Sequence, residues 1–176
     1  MIGKKAQANW SYSFFLNFKT QFTDGFDYSK TPKAKISGFF APGYLSFGPG
    51  MLWKKSDNFK INLAPITSKI TIVSDEFSGS YGTDLGKNAR YEFGFNASLF
   101  YKTTLMENVT MENIVNIYTN YLEKTQNFDV NYQLNFVMQI NKYLSTNLNF
   151  HTIVDDNASS KVQFKEVFGL GVNYIF

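Results

Sequence analysis

Apolar and polar side chains alternate residue by residue along most of this chain. In VFGLGVNYIF, at residues 167–176, aromatic or aliphatic residues occupy every second position, and glycine and asparagine fill several positions between them. A period of two places successive side chains on opposite faces of an extended strand. The pattern therefore favours strands over helices and predicts one large apolar face on each strand.

Eight segments follow this rule. They are residues 9–22, 43–55, 59–73, 90–102, 108–121, 129–141, 144–156 and 161–176. In the third segment the apolar positions shift from odd to even between Leu63 and Ile66, on either side of Pro65. A proline at a change of phase is typical of a β-bulge, so we expect one there.

The links between these segments alternate in length. The links before the third, fifth and seventh segments are short, and the other links are longer and polar. In an up-and-down antiparallel barrel, alternate links lie at the same end. The sequence therefore predicts an all-β, antiparallel, up-and-down barrel of eight strands, formed by residues 1–176 as one domain.

The bulk of the apolar faces indicates which way they point. Aromatic residues make up 18% of the chain, with 19 phenylalanines and 11 tyrosines. The interior of an eight-stranded barrel is only wide enough for ordinary side chains, and this number of aromatic rings would not fit there. We therefore expect the apolar faces to contact lipid and the polar faces to point inward, as in a transmembrane barrel of the bacterial outer membrane.

This orientation assigns two groups of side chains. The polar and charged cluster expected in the lumen is Lys19, Arg90, Glu92, Glu112, Asn131, Gln133, Asn135, His151 and Lys165. The aromatic residues expected at the membrane interfaces are Trp10, Trp53, Tyr101 and Tyr121. The first group can satisfy itself by hydrogen bonds and ion pairs, and the second has the ring types that form interfacial girdles.

The end of the chain resembles the C-terminal signal by which the assembly machinery recognises outer-membrane barrels. The matching positions are Phe168, Leu170, Val172, Tyr174 and Phe176. The expected partners are therefore this machinery, the lipid bilayer and other envelope proteins.

Several stretches also resemble a family of Bacteroidetes outer-membrane proteins known only as a domain of unknown function. They are LNFKTQF, FFAPGYL, SDNFKINLAPITSKITIVSD, RYEFG, NYLEKTQNFDVNY, NKYLS and QFKEVFGLGVNY. The resemblance implies a location and a fold, but no chemistry. It also implies a signal peptide and roughly a hundred upstream residues with further strands, hence a barrel of about twelve strands.

Composition excludes several classes of function. The chain has no cysteine and one histidine, so we expect no cofactor and neither a thiolate nor a multi-histidine metal site. The net charge of +3 comes from scattered lysines, which does not indicate a nucleic-acid partner.

Two alternatives to a non-enzymatic membrane barrel stay open at this stage. The first is a soluble, lipocalin-like barrel that binds an apolar ligand, with the aromatic faces turned inward. The second is an outer-membrane lipid hydrolase that uses His151 with Ser145 and Asp155 on the same face. Because His151 and Asp155 are four residues apart, roughly 13 Å along a strand, they are too far apart for a hydrogen-bonded pair. We therefore expect no catalytic residues.

Overall fold

The computed structural model describes residues 2–123, 125–155 and 159–172. Eleven strands lie in these ranges. They are β1 (Ile2–Gln7), β2 (Trp10–Thr20), β3 (Gly25–Asp27), β4 (Ala34–Ser37), β5 (Gly43–Ser56), β6 (Phe59–Ile72), β7 (Ala89–Met106), β8 (Val109–Asn120), β9 (Asp129–Gln139), β10 (Leu144–Asp155) and β11 (Ser159–Val172).

Nine of the strands form one antiparallel sheet in the order β1-β2-β5-β6-β7-β8-β9-β10-β11, and β3 pairs with β4 in a separate hairpin. The all-β antiparallel prediction is confirmed. All eight predicted strands are present, and the structure adds β1 and the hairpin. Within the described residues no hydrogen-bonded ladder joins β1 to β11, so closure of a barrel stays a prediction. In the same residues no helix is long and apolar enough to cross a membrane.

The bulge predicted in the third segment lies in β6. The register against β7 shifts between Ala64 and Thr67, and the Thr67 hydroxyl donates a hydrogen bond of 2.9 Å to the Ala64 carbonyl. Before the bulge Asn62 is buried and Leu63 is exposed, whereas after it Thr67 is buried and Ile66 is exposed. The extra residue therefore keeps the apolar side chains of β6 on one face of the sheet.

The two ends of the sheet have different connections. At one end, which we call the turn end, residues 8–9, 57–58, 107–108 and 140–143 connect neighbouring strands. At the other end, which we call the loop end, residues 21–42 (loop 1), 73–88 (loop 2) and 121–128 connect them. Asn108 adopts a positive φ of 65° in its short turn, a conformation that asparagine tolerates well. The predicted alternation of link lengths is thus present along the sheet.

Burial in the sheet is the reverse of that in a water-soluble protein. On the outer, convex face Leu16 is 64% exposed and Phe168 is 70% exposed. On the inner, concave face Glu92 is only 2% exposed, and Ser13 and Asn62 are also buried. Soluble proteins usually bury their large apolar residues and expose their charges. Here the sheet exposes the apolar face and encloses the polar one.

The packed cluster of buried apolar side chains within the described residues lies outside the sheet, in the loops. Ala41 of loop 1 packs with Val73 and Phe77 of loop 2, and Tyr81 packs against this group. Phe77 belongs to a short 3-10 turn, Asp75–Phe77. This loop core joins the two longest connections into one packed unit above the loop end of the sheet.

Candidate functional site

A cavity of about 480 Å³, with a wall of mixed polar and apolar surface, opens at the loop end of the concave face; we call it the cup. Its wall takes residues from β2 and from each of β5 to β11. The sheet is therefore curled, because strands near its two edges face each other across one space. All of these residues lie in the halves of their strands that are closer to the loop end.

Hydrogen-bonding side chains make up much of the wall of the cup. Tyr44 of β5 and Tyr118 of β8 contribute phenol groups, while Asn96 and Asn116 contribute amides. Asn116 lies beside Asn131 in the register of β8 and β9. A Cβ at Gly94 would collide with the backbone carbonyl of Thr119 and lie 3.1 Å from Cζ of Tyr118, so the missing side chain lets β8 and the Tyr118 ring approach β7 closely.

The two packed loops form the mouth of the cup. Pro42 and Tyr81 line the cavity from above, and the Tyr81 hydroxyl donates a hydrogen bond to the carbonyl of Ile36. Burial raises the pKa of Tyr81, so its phenol is neutral at neutral pH. The mouth is therefore held in place by a contact between the loops as well as by the loop core.

One ion pair also joins the two loops, and a second lies within loop 1. The Lys35 ammonium lies 3.1 Å from a Glu76 oxygen and 3.3 Å from an Asp24 oxygen. The hydrogen bond to Glu76 raises the pKa of Lys35 above its ordinary value of 10.5. Because these groups are exposed, we expect each pair to contribute little and to weaken with added salt.

A chain of charges crosses the interior beside the cup. Lys69 of β6 lies 2.9 Å from Asp129 of β9 and 3.4 Å from Glu92 of β7. Arg90 lies 3.5 Å from Glu92 and 3.1 Å from Glu123. Since β6 and β9 are three strands apart, about 14 Å in a flat sheet, the pair of Lys69 and Asp129 requires a curved one.

Toward the turn end the interior is occupied by smaller polar contacts. The Ser13 hydroxyl donates to Asn62 Oδ1 at 2.6 Å, and Asn149 donates to Asn135. Lys102 pairs with Glu112 at 2.8 Å. These contacts lie on the inner face below the cup, so the polar face is largely self-satisfied there.

The nine residues predicted for the lumen all lie on the inner face. His151 Nε2 is 3.0 Å from Asn131 Oδ1, and in the register His151 lies opposite both Gln133 and Lys165. Lys19 lines the cup. The others take part in the contacts given above. Apart from Lys19, they form three groups, the charge chain, the lower contacts and the His151 row, so they do not make one compact site.

The predicted interfacial aromatics lie near the two ends of the sheet. At the turn end Trp10 is opposite Trp53, and Phe59 makes edge-to-face contacts with both Trp53 and Tyr101, with ring centroids 5.6 and 5.8 Å apart. At the loop end Tyr121 contacts Phe93 with centroids 6.0 Å apart. The four residues therefore occupy two levels, as girdles would.

The spacing of these levels can be compared with a membrane. Tyr91 is a further exposed aromatic residue near the loop end of β7, and Tyr101 is near its turn end. The two lie ten residues apart on the outer face, roughly 33 Å along the strand and about 25 Å in height at a tilt of about 40°. Transmembrane barrels have an apolar band of about this height.

The C-terminal strand has the same polarity as the rest of the sheet. Phe168, Leu170 and Val172 are strongly exposed on β11. Tyr174 and Phe176, the other two positions of the predicted assembly signal, lie outside the described residues.

In the ranges that the structure describes, no three metal-ligating side chains come together. His151 contacts Asn131, while Ser145 and Asp155 lie at opposite ends of β10. This arrangement does not bring the three residues of the hydrolase hypothesis into contact.

Comparisons of the chain with protein-family models, with curated proteins and with solved structures found no match. The interpretation of the site therefore depends on its own geometry.

Sequence reasoning placed the polar side chains of the strands on one face but did not find the cup. Tyr44, Asn96, Asn116 and Tyr118 are all at positions of the polar face, near the loop end of their strands. The sequence feature that could have identified them is their position along each strand relative to the long links. Alternation shows only which face of the strand a residue is on. A ranking of the polar-face residues by distance from the long links would have grouped them.

Proposed function

We propose that this chain is a non-enzymatic β-barrel protein of the bacterial outer membrane, with a structural or transport-like role. The observation that carries the proposal is the reversed burial of the sheet, with exposed leucine and phenylalanine outside and buried Glu92 inside. Lipid is the solvent in which such a surface is stable, because it removes the exposed apolar area from water.

Two further features support this function. Aromatic residues lie at two levels whose separation fits the apolar band of a membrane barrel, and the longer links lie together at one end. Closure of the sheet would also remove the strand edges that lipid does not tolerate. The sequence resemblance to Bacteroidetes outer-membrane proteins is in agreement with this location.

The first test is the gel mobility of the chain refolded in detergent, with and without boiling. A closed membrane barrel resists unfolding in cold SDS, so we expect the unboiled sample to migrate differently from the boiled one. Fractionation of cells that make the native protein should recover it with the outer membrane. Recovery in the soluble periplasm would contradict the proposal.

A pair of neighbouring substitutions tests which face meets lipid. Phe136 lies on the outer face, where its ring contacts Phe150, and Asn135 lies on the inner face beside Asn149. We expect Phe136→Asp to prevent insertion, because it places a charge in the lipid. Asn135→Asp should insert, because the new carboxylate enters a polar interior.

The soluble, lipocalin-like alternative predicts a different result from this pair. It requires an apolar interior, whereas tyrosine, amide and charged side chains make up much of the wall of the cup, beside a few aliphatic ones. Its inward aromatic face would contain Phe136, so Phe136→Asp should unfold in water, while the unchanged chain and Asn135→Asp should fold there without detergent. That result would replace the membrane proposal with the soluble alternative.

A further inference from the structure

We propose that the cup binds a neutral, hydroxyl-rich small molecule, with a mono- or disaccharide as the chemical class of ligand. The volume of about 480 Å³ falls within the range of small-molecule sites, which is roughly 300–1,000 Å³. The choice of ligand follows from the chemistry of the wall, which combines hydrogen-bonding groups with apolar surface, is balanced in charge and is rich in tyrosine.

Two amide side chains of the wall favour a ligand that carries hydroxyl groups. Asn96 and Asn116 are partly buried in the wall, and neither side chain bonds to another protein group within the described residues. An amide offers two donors and an acceptor, which matches a hydroxyl group that both donates and accepts. An apolar ligand would leave these groups without partners, at a cost in binding free energy.

The charges of the wall favour a ligand without net charge. Lys19 and Lys69 contribute two positive charges, and Asp129 and Asp155 contribute two negative ones. Lys69 and Asp129 already pair with each other at 2.9 Å. Since the wall has no excess of either sign, an ionic ligand would gain little attraction there. This balance favours a neutral ligand.

The tyrosines of the wall favour a ligand with both C–H and O–H groups on its surface. Tyr44, Tyr81 and Tyr118 all line the cavity. A phenol ring combines an apolar surface with a polar tip, so it can cover the C–H face of a sugar ring and also bond to a hydroxyl. Such mixed surfaces suit a molecule whose own surface alternates between C–H and O–H groups.

The mouth of the cup is organised before any ligand arrives. Loops 1 and 2 share the packed group of Ala41, Val73 and Phe77, and Tyr81 bonds across to Ile36. A rigid mouth reduces the entropy lost on binding. Below the cup the inner face carries paired polar residues, such as Ser13 with Asn62 and Lys102 with Glu112.

This inference goes beyond the proposed function and depends on it in one respect only. The binding chemistry requires the curled sheet but not a membrane. The outer-membrane proposal adds that the cup faces the outside of the cell, because the longer loops of such barrels are external. Binding and location are therefore measured separately.

The test is a calorimetric or saturation-transfer titration of the folded chain in detergent with glucose, galactose, maltose and lactose. Two variants address the site, and each is checked for folding by circular dichroism. Tyr44→Phe removes a hydroxyl from the cup, and Asn116→Leu removes an amide at similar volume. The matched control is Tyr12→Phe, which removes a hydroxyl from the outer face, where Tyr12 is 62% exposed.

We expect at least one of the neutral sugars to bind, with roughly tenfold weaker affinity for Tyr44→Phe and for Asn116→Leu and no change for Tyr12→Phe. Glucuronate and glucosamine, which carry one charge each, should bind more weakly than the neutral sugars. The proposal is overturned if no neutral sugar binds below about 10 mM. It is also overturned if a charged analogue binds more tightly, or if both cup variants bind like the control.

Discussion

The sheet and the loops of this molecule follow opposite rules of burial. In the loops, Val73 and Phe77 are buried and the ion pairs of Lys35 are exposed. In the sheet, Glu92 is buried while Leu16 and Phe168 are exposed. One chain therefore contains a region built as if for water and a region built as if for lipid.

The boundary between the two regions lies at the ends of the strands. Val73 is the first residue after β6 and is buried among apolar groups, whereas Ile72, the last residue of β6, is 44% exposed. A change of rule within two residues is not expected from a gradual drift in composition. Under the outer-membrane proposal the surrounding solvent changes there, and the following predictions test this difference.

The largest expected effect comes from removing a buried charge from the sheet. Glu92→Ala leaves Arg90 and Lys69 without their shared carboxylate, and breaking a buried ion pair typically costs about 3–5 kcal/mol. Guanidinium unfolding of the refolded chain in detergent measures this cost. Glu112→Ala is the matched control, because Glu112 is more exposed and pairs only with Lys102. Equal losses for the two variants would contradict a special role for the buried network.

A charge on the outer face should have the next largest effect. We expect Leu16→Arg to lower the free energy of unfolding in lipid vesicles by about 2–4 kcal/mol, the cost of arginine near the middle of a bilayer. Asn17→Arg, one residue along and on the other face, should cost less than about 1 kcal/mol. If Leu16→Arg were neutral, the outer face would not be in lipid.

A smaller, local effect is expected in the loop core. Val73→Ala removes two buried methyl groups, worth about 1.6 kcal/mol at roughly 0.8 kcal/mol each. Proteolytic cleavage of loop 2 should then be faster, on the order of tenfold, while gel mobility stays unchanged. Val115→Ala on the outer face of β8, where Val115 lies opposite Leu99 and Tyr132, should not change this cleavage. A loss of the gel shift in Val73→Ala would show that the loop core also supports the sheet.

The smallest effect concerns the ion pair between loops 1 and 2, which Lys35 forms with Glu76. Raising NaCl from about 0.05 M to about 1 M screens exposed charges, so cleavage of loop 2 should increase by less than about fivefold. Glu76→Gln should remove most of this dependence, because it deprives Lys35 of its nearer partner. A salt dependence that persists in Glu76→Gln would assign it to other charges.

Alternation predicted the strands well because it reports a physical boundary between two environments. It even located the bulge of β6, since Leu63 and Ile66 can share a face only if an extra residue lies between them. It missed β1, whose residues IGKKAQ do not alternate and are all exposed. That strand is defined by its pairing with β2 through a tight turn, in which Ala8 has a positive φ of 47°.

The site was less predictable than the fold. Sequence pattern placed Glu92 among the charges of one face, but it could not show that Lys69 reaches Asp129 on a strand three places away. That contact depends on the curvature of the sheet, which arises from all nine strands together. The loop core was also missed, because Ala41, Val73 and Phe77 come from two links without any periodic pattern.

The order of the nine strands also determines the geometry of any seam that closes the sheet. Because neighbours alternate in direction, β1 and β11 run the same way. Direct pairing of these two edges would give a parallel seam, with slanted hydrogen bonds, in an otherwise antiparallel wall. An antiparallel seam requires either that β2 replaces β1 at the edge or that an odd number of strands is added. Cysteine pairs placed across the seam of this cysteine-free chain would read its direction, and with it the parity of the complete wall.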